Sequence, residues 1–308
     1  MRIAYFDCFS GISGDMCMGA LVSAGVDFAL LKEELAKMPV AGYDMRCKKE
    51  KRNGIACVNI FVDLLETEQP ARRLADILQI IAGSDLPAAV KDKSREVFIR
   101  LAAAEAAVHD TTPEQIHFHE VGAVDAIVDV TGAVLGLHLL KVDKVYVSPL
   151  PMGKGFIKCM HGVIPSPAPA TLEILHGVPV YGTGIAGELV TPTGAALLSV
   201  LADAFIDLPA MIIEKVGYGA GKKVMEHPNL LRLIVGEHCQ AEIQSPIPCH
   251  CCHHREHRHA HLHDHKPAHT NTHEHKHGHV HHSHQHEYGH DHDHNQEHDH
   301  GHSHEKSE

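Results

Sequence analysis

Short β-prone runs alternate with longer helical stretches of hydrophobic and polar positions through residues 3–235. The alternation predicts an α/β fold. Asn53-Gly54, between two β-prone runs, predicts a hairpin, so we expect a mixed sheet with flanking helices. Strands are predicted at residues 3–9, 43–49, 55–64, 144–147, 178–181, 212–216 and 230–235, and helices at residues 16–24, 28–37, 71–82, 88–109, 123–140, 170–175 and 193–204. Prolines predict loops at residues 148–151 and 165–169.

This pattern ends at Cys239. Residues 240–248 are polar with two prolines, and residues 249–308 contain almost no apolar side chain. Such a segment cannot bury enough apolar surface to offset the entropy lost on ordering. We therefore predict an α/β body at residues 1–238, and a linker followed by a disordered His-rich tail at residues 239–308.

The composition changes the picture through its histidines and its charge. Eight of the 32 His precede residue 240, and the other 24 lie between His250 and His304. A formal charge of −12 argues against binding to nucleic acid or to anionic membranes. Nine Cys without a secretory signal, in a chain too long for a disulfide scaffold, indicate free thiols and a cytoplasmic location.

The tail offers the ligands of a metal-binding segment. Imidazole suits Ni²⁺, Zn²⁺ and Cu²⁺, and alternating imidazoles on a flexible chain can chelate an ion without a preformed geometry. A purification tag and a solubilising low-complexity tail are the alternatives. The proposed tail ligands are His257, His259, His261, His263 and His265.

A second cluster of ligand residues lies in the body. His117 and His119 alternate with apolar neighbours and precede Glu120, while Asp125 and Asp129 share one face of an otherwise apolar helix. Burying two carboxylates there is costly unless a metal, a cationic ring or a lysine pairs with them. The alternative is that Glu120 and Asp125 cap the helix and that both histidines are satisfied locally.

Glycine-rich segments are candidates for anion binding. The strand, glycine turn and helix start around residues 10–14 would direct backbone N–H groups at an anion. Residues 217–223 resemble a phosphate loop but fail its pattern, because Val216 and Lys223 stand in place of its first glycine and its Ser/Thr. We predict a turn there that binds an anion or allows close packing. Thr191 or Thr193 either caps a helix or contacts a ligand.

Five segments together resemble the nickel insertion proteins that mature the lactate racemase cofactor: residues 5–16, 117–129, 165–171, 188–194 and 217–221. The resemblance implies a cyclometallase of the lyase or chelatase class. Such an enzyme inserts Ni²⁺ into pyridinium-3,5-bisthiocarboxylic acid mononucleotide and forms the nickel-pincer cofactor with two Ni–S bonds and one Ni–C bond, consuming CTP. Lactate racemase apoprotein or its maturation proteins are the implied partners.

The resemblance also implies a C-terminal domain that binds CTP with a divalent metal. Family members continue past the His-rich segment into that domain, whereas this sequence stops at Glu308. We expect either that a separate polypeptide supplies the domain or that this chain is an N-terminal fragment.

The chemistry assigns provisional roles to residues of the body. The substrate phosphate would bind at Ser10, Gly11 and Gly14, with Lys154 or Lys222 as counter-charge and with Thr191 and Thr193 as further cofactor contacts. The base that takes the ring C–H proton would be His117, His119 or Glu120. The same His pair would hold nickel with Asp7, Asp15 or Asp125, and the tail would raise the local nickel concentration.

Two other functional classes stay open at this point. A non-enzymatic nickel or zinc store, or a metallochaperone, would use the tail alone and the body as a docking module. A zinc-dependent hydrolase would use His117, His119 and an acid.

Overall fold

The computed structural model describes residues 1–65, 71–118 and 123–239. The helices of these ranges are α1 Gly14–Ser23, α2 Phe28–Leu35, α3 Leu74–Ala82, α4 Ala88–Val108, α5 Val124–Leu139, α6 Pro169–Ile174 and α7 Pro192–Leu201. The strands are β1 Arg2–Asp7, β2 Tyr43–Arg52, β3 Ile55–Leu64, β4 Arg72–Arg73, β5 His117–Phe118, β6 Lys144–Val147, β7 Leu150–Lys154, β8 Phe156–Cys159, β9 Gly162–Pro165, β10 Val180–Ala186, β11 Ala204–Phe205, β12 Met211–Ala220 and β13 Leu230–His238.

A seven-stranded mixed sheet forms the frame of the body, in the order β11-β6-β1-β13-β12-β3-β2. β1 runs parallel to β6 and antiparallel to β13, while β12 runs parallel to β3. The predicted hairpin joins β2 and β3, and both Asn53 and Gly54 have the positive φ that its tight turn requires. The predicted α/β fold with a mixed sheet and flanking helices is confirmed.

Helix α1 lies between the sheet and α5. Its sheet side packs so closely that a Cβ on Gly219 of β12 would come within 1.9 Å of the Met16 carbonyl oxygen. Its other side meets α5, where a Cβ on Gly132 would lie 2.4 Å from the sulfur of Met18. α5 is almost wholly apolar and is mostly buried, because it has α1 on one side and further helices around it.

Three local predictions are corrected by the structure. Of the glycine-rich turn predicted at residues 217–223, residues 217–220 are the end of β12, and the alternative of close packing is confirmed, because the glycines allow α1 to approach the strand. Pro151 lies within β7, not in a loop, and pairs with Tyr181 of β10 in a separate two-stranded sheet. The proline-marked loop predicted at residues 165–169 is present at residues 166–168 only, because β9 ends at Pro165 and α6 begins at Pro169.

A two-stranded hairpin of β8 and β9, residues Phe156–Pro165, projects beside these elements without joining the main sheet. We call it the arm; the sequence pattern did not predict it. Among the helices within the described ranges, none combines the length and the apolarity needed to cross a bilayer.

The predicted domain boundary at residue 238 stays a prediction, because the described residues end at Cys239. The linker, the disordered tail and the tail histidines lie outside the described residues, so these predictions stay predictions.

Candidate functional site

Three helix N-termini meet around a cavity of about 670 Å³. α1, α5 and α7 each contribute residues of their first turn, so three positive helix ends point toward one space. The arm and two loops complete the wall. The lining residues used below are Gly14, Asp15, Asp125, Asp129, Phe156, Lys158, Cys159, Glu188, Thr191, Thr193, Lys222 and Lys223.

Asp15 and Asp129 form the acidic wall of the cavity. Asp15 is 6% exposed, accepts the Met16 N–H at 2.9 Å and also accepts the Ser13 hydroxyl. Asp129 stands against α1 at Gly14, and its buried Oδ1 has no hydrogen-bond partner among the described residues. Burial, and after it the negative charge of Asp15, raises the pKa of Asp129 well above its usual range. The fold thus keeps a carboxyl group where ionisation is unfavourable.

Lys222 supplies positive charge to this wall. Its Nζ lies 3.7 Å from Asp15 Oδ2. Partial burial lowers the pKa of Lys222, but the charges of Asp15, Asp129 and Asp125 outweigh that effect and raise it overall. The sequence predicted a metal, a cationic ring or a lysine as the partner of the two carboxylates on α5, and the structure provides a lysine. Four acidic side chains and three lysines line the described cavity, so it carries both charges.

The glycine turn before α1 is used differently from the prediction. The Gly11 N–H donates to the Cys8 carbonyl at 2.8 Å, and the Ile12 N–H donates to the Leu189 carbonyl at 2.9 Å. Ser10 is fully buried and, with Gly11, lies outside the cavity lining, whereas Gly14 lines the cavity. The N–H groups open to a ligand are therefore those of the α1 N-terminus itself.

Thr191 caps α7, because its hydroxyl oxygen accepts the Gly194 N–H at 3.1 Å. Thr191 and Thr193 also line the cavity. Capping by Thr191 is thus observed, and a ligand contact by either threonine stays a prediction.

Two predicted site residues lie away from the cavity lining. Asp7 forms an ion pair with Arg232, whose guanidinium stands 5.7 Å from the centre of the Phe9 ring. Lys154 is exposed at the end of β7, and its carbonyl accepts the Gly187 N–H. Within the described ranges, no group of three or more His, Cys, Asp or Glu is arranged to hold a metal ion.

The histidine cluster can be placed only in part. The backbone of His117 pairs with Arg73 in the short β4–β5 ladder, shortly before α5 brings Asp125 to the cavity. His119, Glu120 and the tail ligands His257, His259, His261, His263 and His265 lie outside the described residues.

Several lining residues had no assigned role in the sequence prediction. Asp129 was visible as the partner of Asp125 at a spacing of four residues, but only the structure shows that it reaches the cavity beside Asp15. Phe156, Lys158 and Cys159 belong to the arm, whose alternating pattern of exposed and half-buried residues carries no motif.

A cavity with carboxylates, lysines and three helix N-termini is suited to a small ligand that bears charges of both signs, and its frame is that of an α/β protein. Comparison with known proteins makes this class specific. The profile of one protein family, described as "Nickel insertion protein", matches residues 4–275, and the chain belongs to this family. The resemblance found in the five sequence segments is confirmed.

Two curated relatives from Desulfitobacterium hafniense, strains DSM 10664 / DCB-2 and Y51, are each 54% identical to the chain over 237 residues. Both are named pyridinium-3,5-bisthiocarboxylic acid mononucleotide nickel insertion protein. The matched region covers 77% of this chain but only 59% of each relative, so the chain spans less than two thirds of their length. No solved structure shows significant similarity to the chain.

Proposed function

We propose that the chain inserts nickel into pyridinium-3,5-bisthiocarboxylic acid mononucleotide, as the nickel-handling part of a cyclometallase. The names of the two relatives support the substrate. The buried Oδ1 of Asp129, which lacks a hydrogen-bond partner among the described residues and stands in a cavity with Asp15, is the observation that carries the proposal.

Nickel is a substrate in this reaction, and the acidic wall suits its transient binding. Carboxylate oxygens are harder ligands than sulfur, so they hold Ni²⁺ less firmly than the two thiocarboxylate sulfurs of the acceptor. Asp15 and Asp129 would receive the ion as a pair of carboxylates, without the third ligand of a resident metal site, and release it to sulfur. A bound dication would also make the ionisation of Asp129 favourable, because its positive charge compensates the negative charge that burial disfavours.

The phosphate of the substrate fits the positive side of the same cavity. Helix N-termini bind phosphate through free N–H groups and the helix dipole, and Gly14 and Thr193 lie at two such ends. Lys222 and Lys223 add positive charge. We therefore propose that the phosphate binds at the α1 and α7 N-termini and not at Ser10, Gly11 or Lys154.

The Ni–C bond forms as a ring C–H bond breaks, and the departing proton needs an acceptor. His117, His119 and Glu120 remain the proposed bases. We also propose that CTP, with a divalent metal, binds to the C-terminal domain of the complete enzyme. The enzyme would act in the cytoplasm and supply the nickel-pincer cofactor to lactate racemase. The class of the enzyme, lyase or chelatase, follows from the same proposal.

The test is nickel insertion by the full chain with Ni²⁺, CTP, Mg²⁺ and the bisthiocarboxylate mononucleotide, with and without the C-terminal part of a Desulfitobacterium relative as a second polypeptide. Mass spectrometry detects a product that has gained nickel and lost the ring proton. Asp129→Asn should lower the initial rate at least about tenfold, the effect of losing one charged contact to a reacting group. Asp7→Asn, the matched control outside the cavity, should not. Equal rates for both variants would remove Asp129 from the site.

A nickel store is the second candidate, because 24 His follow residue 240. Deleting residues 249–308 separates the two functions. After this deletion an enzyme should still insert nickel at high nickel concentration, whereas a store should lose its nickel binding entirely.

A further inference from the structure

The arm exposes large apolar side chains without an evident reason in the fold. Phe156 and Met160 are each 74% exposed, and Val163 is 70% exposed. The arm is nevertheless held at both ends. At its base the Ser166 hydroxyl donates to the Gly187 carbonyl at 2.8 Å, and at its tip the His161 ring lies 5.1 Å from the His109 ring of the α4 C-cap. A fixed position makes the placement of its side chains meaningful.

Phe156 differs from the other two exposed residues of the arm. It lines the cavity, whereas Met160 and Val163 are not among the described lining residues. Its ring therefore borders the site and is mostly open to solvent. Such a ring gains contacts when a ligand fills the cavity, because an aromatic side chain buries a large area against a flat partner.

The acidic wall of the cavity indicates which part of a ligand fits beside it. Asp125 and Asp129 stand in the wall of the same cavity, and Asp15 lies beside them. Carboxylates favour a cation, and the face of an aromatic ring attracts a cation through its quadrupole. A flat cationic ring satisfies both surfaces at once. A volume of about 670 Å³ also suits a mononucleotide, since ligand cavities span about 300–1,000 Å³.

We propose that Phe156 stacks on the pyridinium ring of the substrate and thereby selects a cationic ring over an uncharged one. The inference rests on the proposed function, because it assigns a contact to the substrate named there. Phe156 is a binding and specificity residue in this proposal, and it takes no part in the bond changes.

The absence of Trp from the sequence provides a direct test. Phe156→Trp places a single Trp at the cavity in the full chain, and Val163→Trp places one at a similarly exposed site on the same arm. The probe is pyridinium-3,5-dicarboxylic acid mononucleotide, the oxygen analogue of the substrate, without nickel. A stacked pyridinium quenches indole fluorescence, so Phe156→Trp should show saturable quenching. Val163→Trp should show only weak quenching that does not saturate.

Calorimetry measures the contribution of the ring to affinity. Phe156→Ala should bind the probe about 5-fold to 30-fold more weakly, the range expected for a cation–aromatic contact that becomes desolvated. Phe156→Tyr should stay within about twofold of the wild type, because it retains an aromatic face. Val163→Ala should equal the wild type. A benzene analogue, with carbon in place of the ring nitrogen, should bind the wild type more weakly and should lose less affinity on Phe156→Ala than the pyridinium probe does.

The results separate this inference from the proposed function. If the probe binds but Phe156→Ala matches Val163→Ala, the stacking proposal is wrong and nickel insertion still stands. If the wild type binds neither the probe nor the thiolated substrate, both proposals are wrong. If both alanine variants dissociate a dimer equally in sedimentation and leave binding unchanged, the arm is an interface between copies and the stacking proposal fails.

Discussion

Replacing Gly14 with alanine tests whether the contact between α1 and α5 positions the carboxylate of Asp129. A Cβ on Gly14 would lie 2.6 Å from Asp129 Cβ and 3.0 Å from its Oδ2. Carbon atoms in ordinary contact are about 3.5–4.0 Å apart. The added methyl group therefore requires a displacement of roughly 1 Å, and the side chain that must move is the one proposed to receive nickel.

The expected loss of stability is modest. Inserting a methyl group into a packed region costs about 1–3 kcal/mol. Part of this is offset, because alanine lowers the entropy of the unfolded chain and so stabilises by about 0.4–1 kcal/mol. The net destabilisation is about 1–2 kcal/mol, or a fall in Tm of roughly 2–8 °C for a body of this size. The loss of function should be larger, about 100-fold in rate, since a misplacement of about 1 Å has that effect on catalytic groups.

Gly182→Ala is the matched control for this variant. No described atom lies within 4 Å of a Cβ built on Gly182, and its φ is not positive, so the methyl group meets neither a clash nor backbone strain. The two measurements are thermal unfolding by circular dichroism and initial nickel insertion rate at saturating substrate. If Gly14→Ala unfolds and inserts nickel like Gly182→Ala, then α1 does not position Asp129, and the geometric argument is refuted.

Three further outcomes follow from the same contacts. Because the pKa of Asp129 is raised on folding, the free energy of unfolding of the wild type should fall as pH rises above the usual aspartate range. Asp129→Asn should remove this pH dependence, which urea titrations between about pH 4 and pH 8 would measure. Asp7→Asn breaks a part-buried ion pair with Arg232 and should lower the free energy of unfolding by about 1.5–3 kcal/mol, the range for hydrogen bonds to a charged group, with substrate binding unaltered in calorimetry. Gly219→Ala should lower the free energy of unfolding by about 3 kcal/mol or more, as measured by chemical denaturation. Its Cβ would meet the Met16 carbonyl oxygen, a backbone atom of α1 that cannot rotate away.

The elements of the main sheet were predictable because local pattern determines them. Strand β6 was predicted with its observed bounds, and the Asn53-Gly54 hairpin has the expected turn. The strand order was not predictable, because β1 lies between β6 and β13, which are far away in the sequence. The glycines of β12 misled the prediction for a physical reason: glycine permits a turn, but it equally permits a helix to pack against a strand without a side chain between them.

The site was predictable where its residues share one helix. The spacing of Asp125 and Asp129 on an apolar helix indicated a buried charge that needs a partner. Lys222 was proposed only as a counter-charge for phosphate, because nothing in the local sequence links it to α5. Phe156 had no signal at all, since its role depends on the cavity that it borders.

The buried thiols of the body complete the argument for oxygen as the nickel ligand. Thiolate, not thiol, binds metal. Burial raises the pKa of Cys17, and the charges of Cys8, Asp15 and Asp129 raise it further. Burial likewise raises the pKa of Cys8, with Asp7 adding to the effect. Both shifts favour the protonated thiol, and Cys17 is the one that lies beside the acidic wall. In the proposed reaction, in which nickel passes to two sulfurs, a protonated Cys17 does not compete with the acceptor. Cys159 is the cysteine whose side chain lines the described cavity, so oxygen as the nickel ligand predicts that Cys159→Ser leaves the insertion rate unchanged.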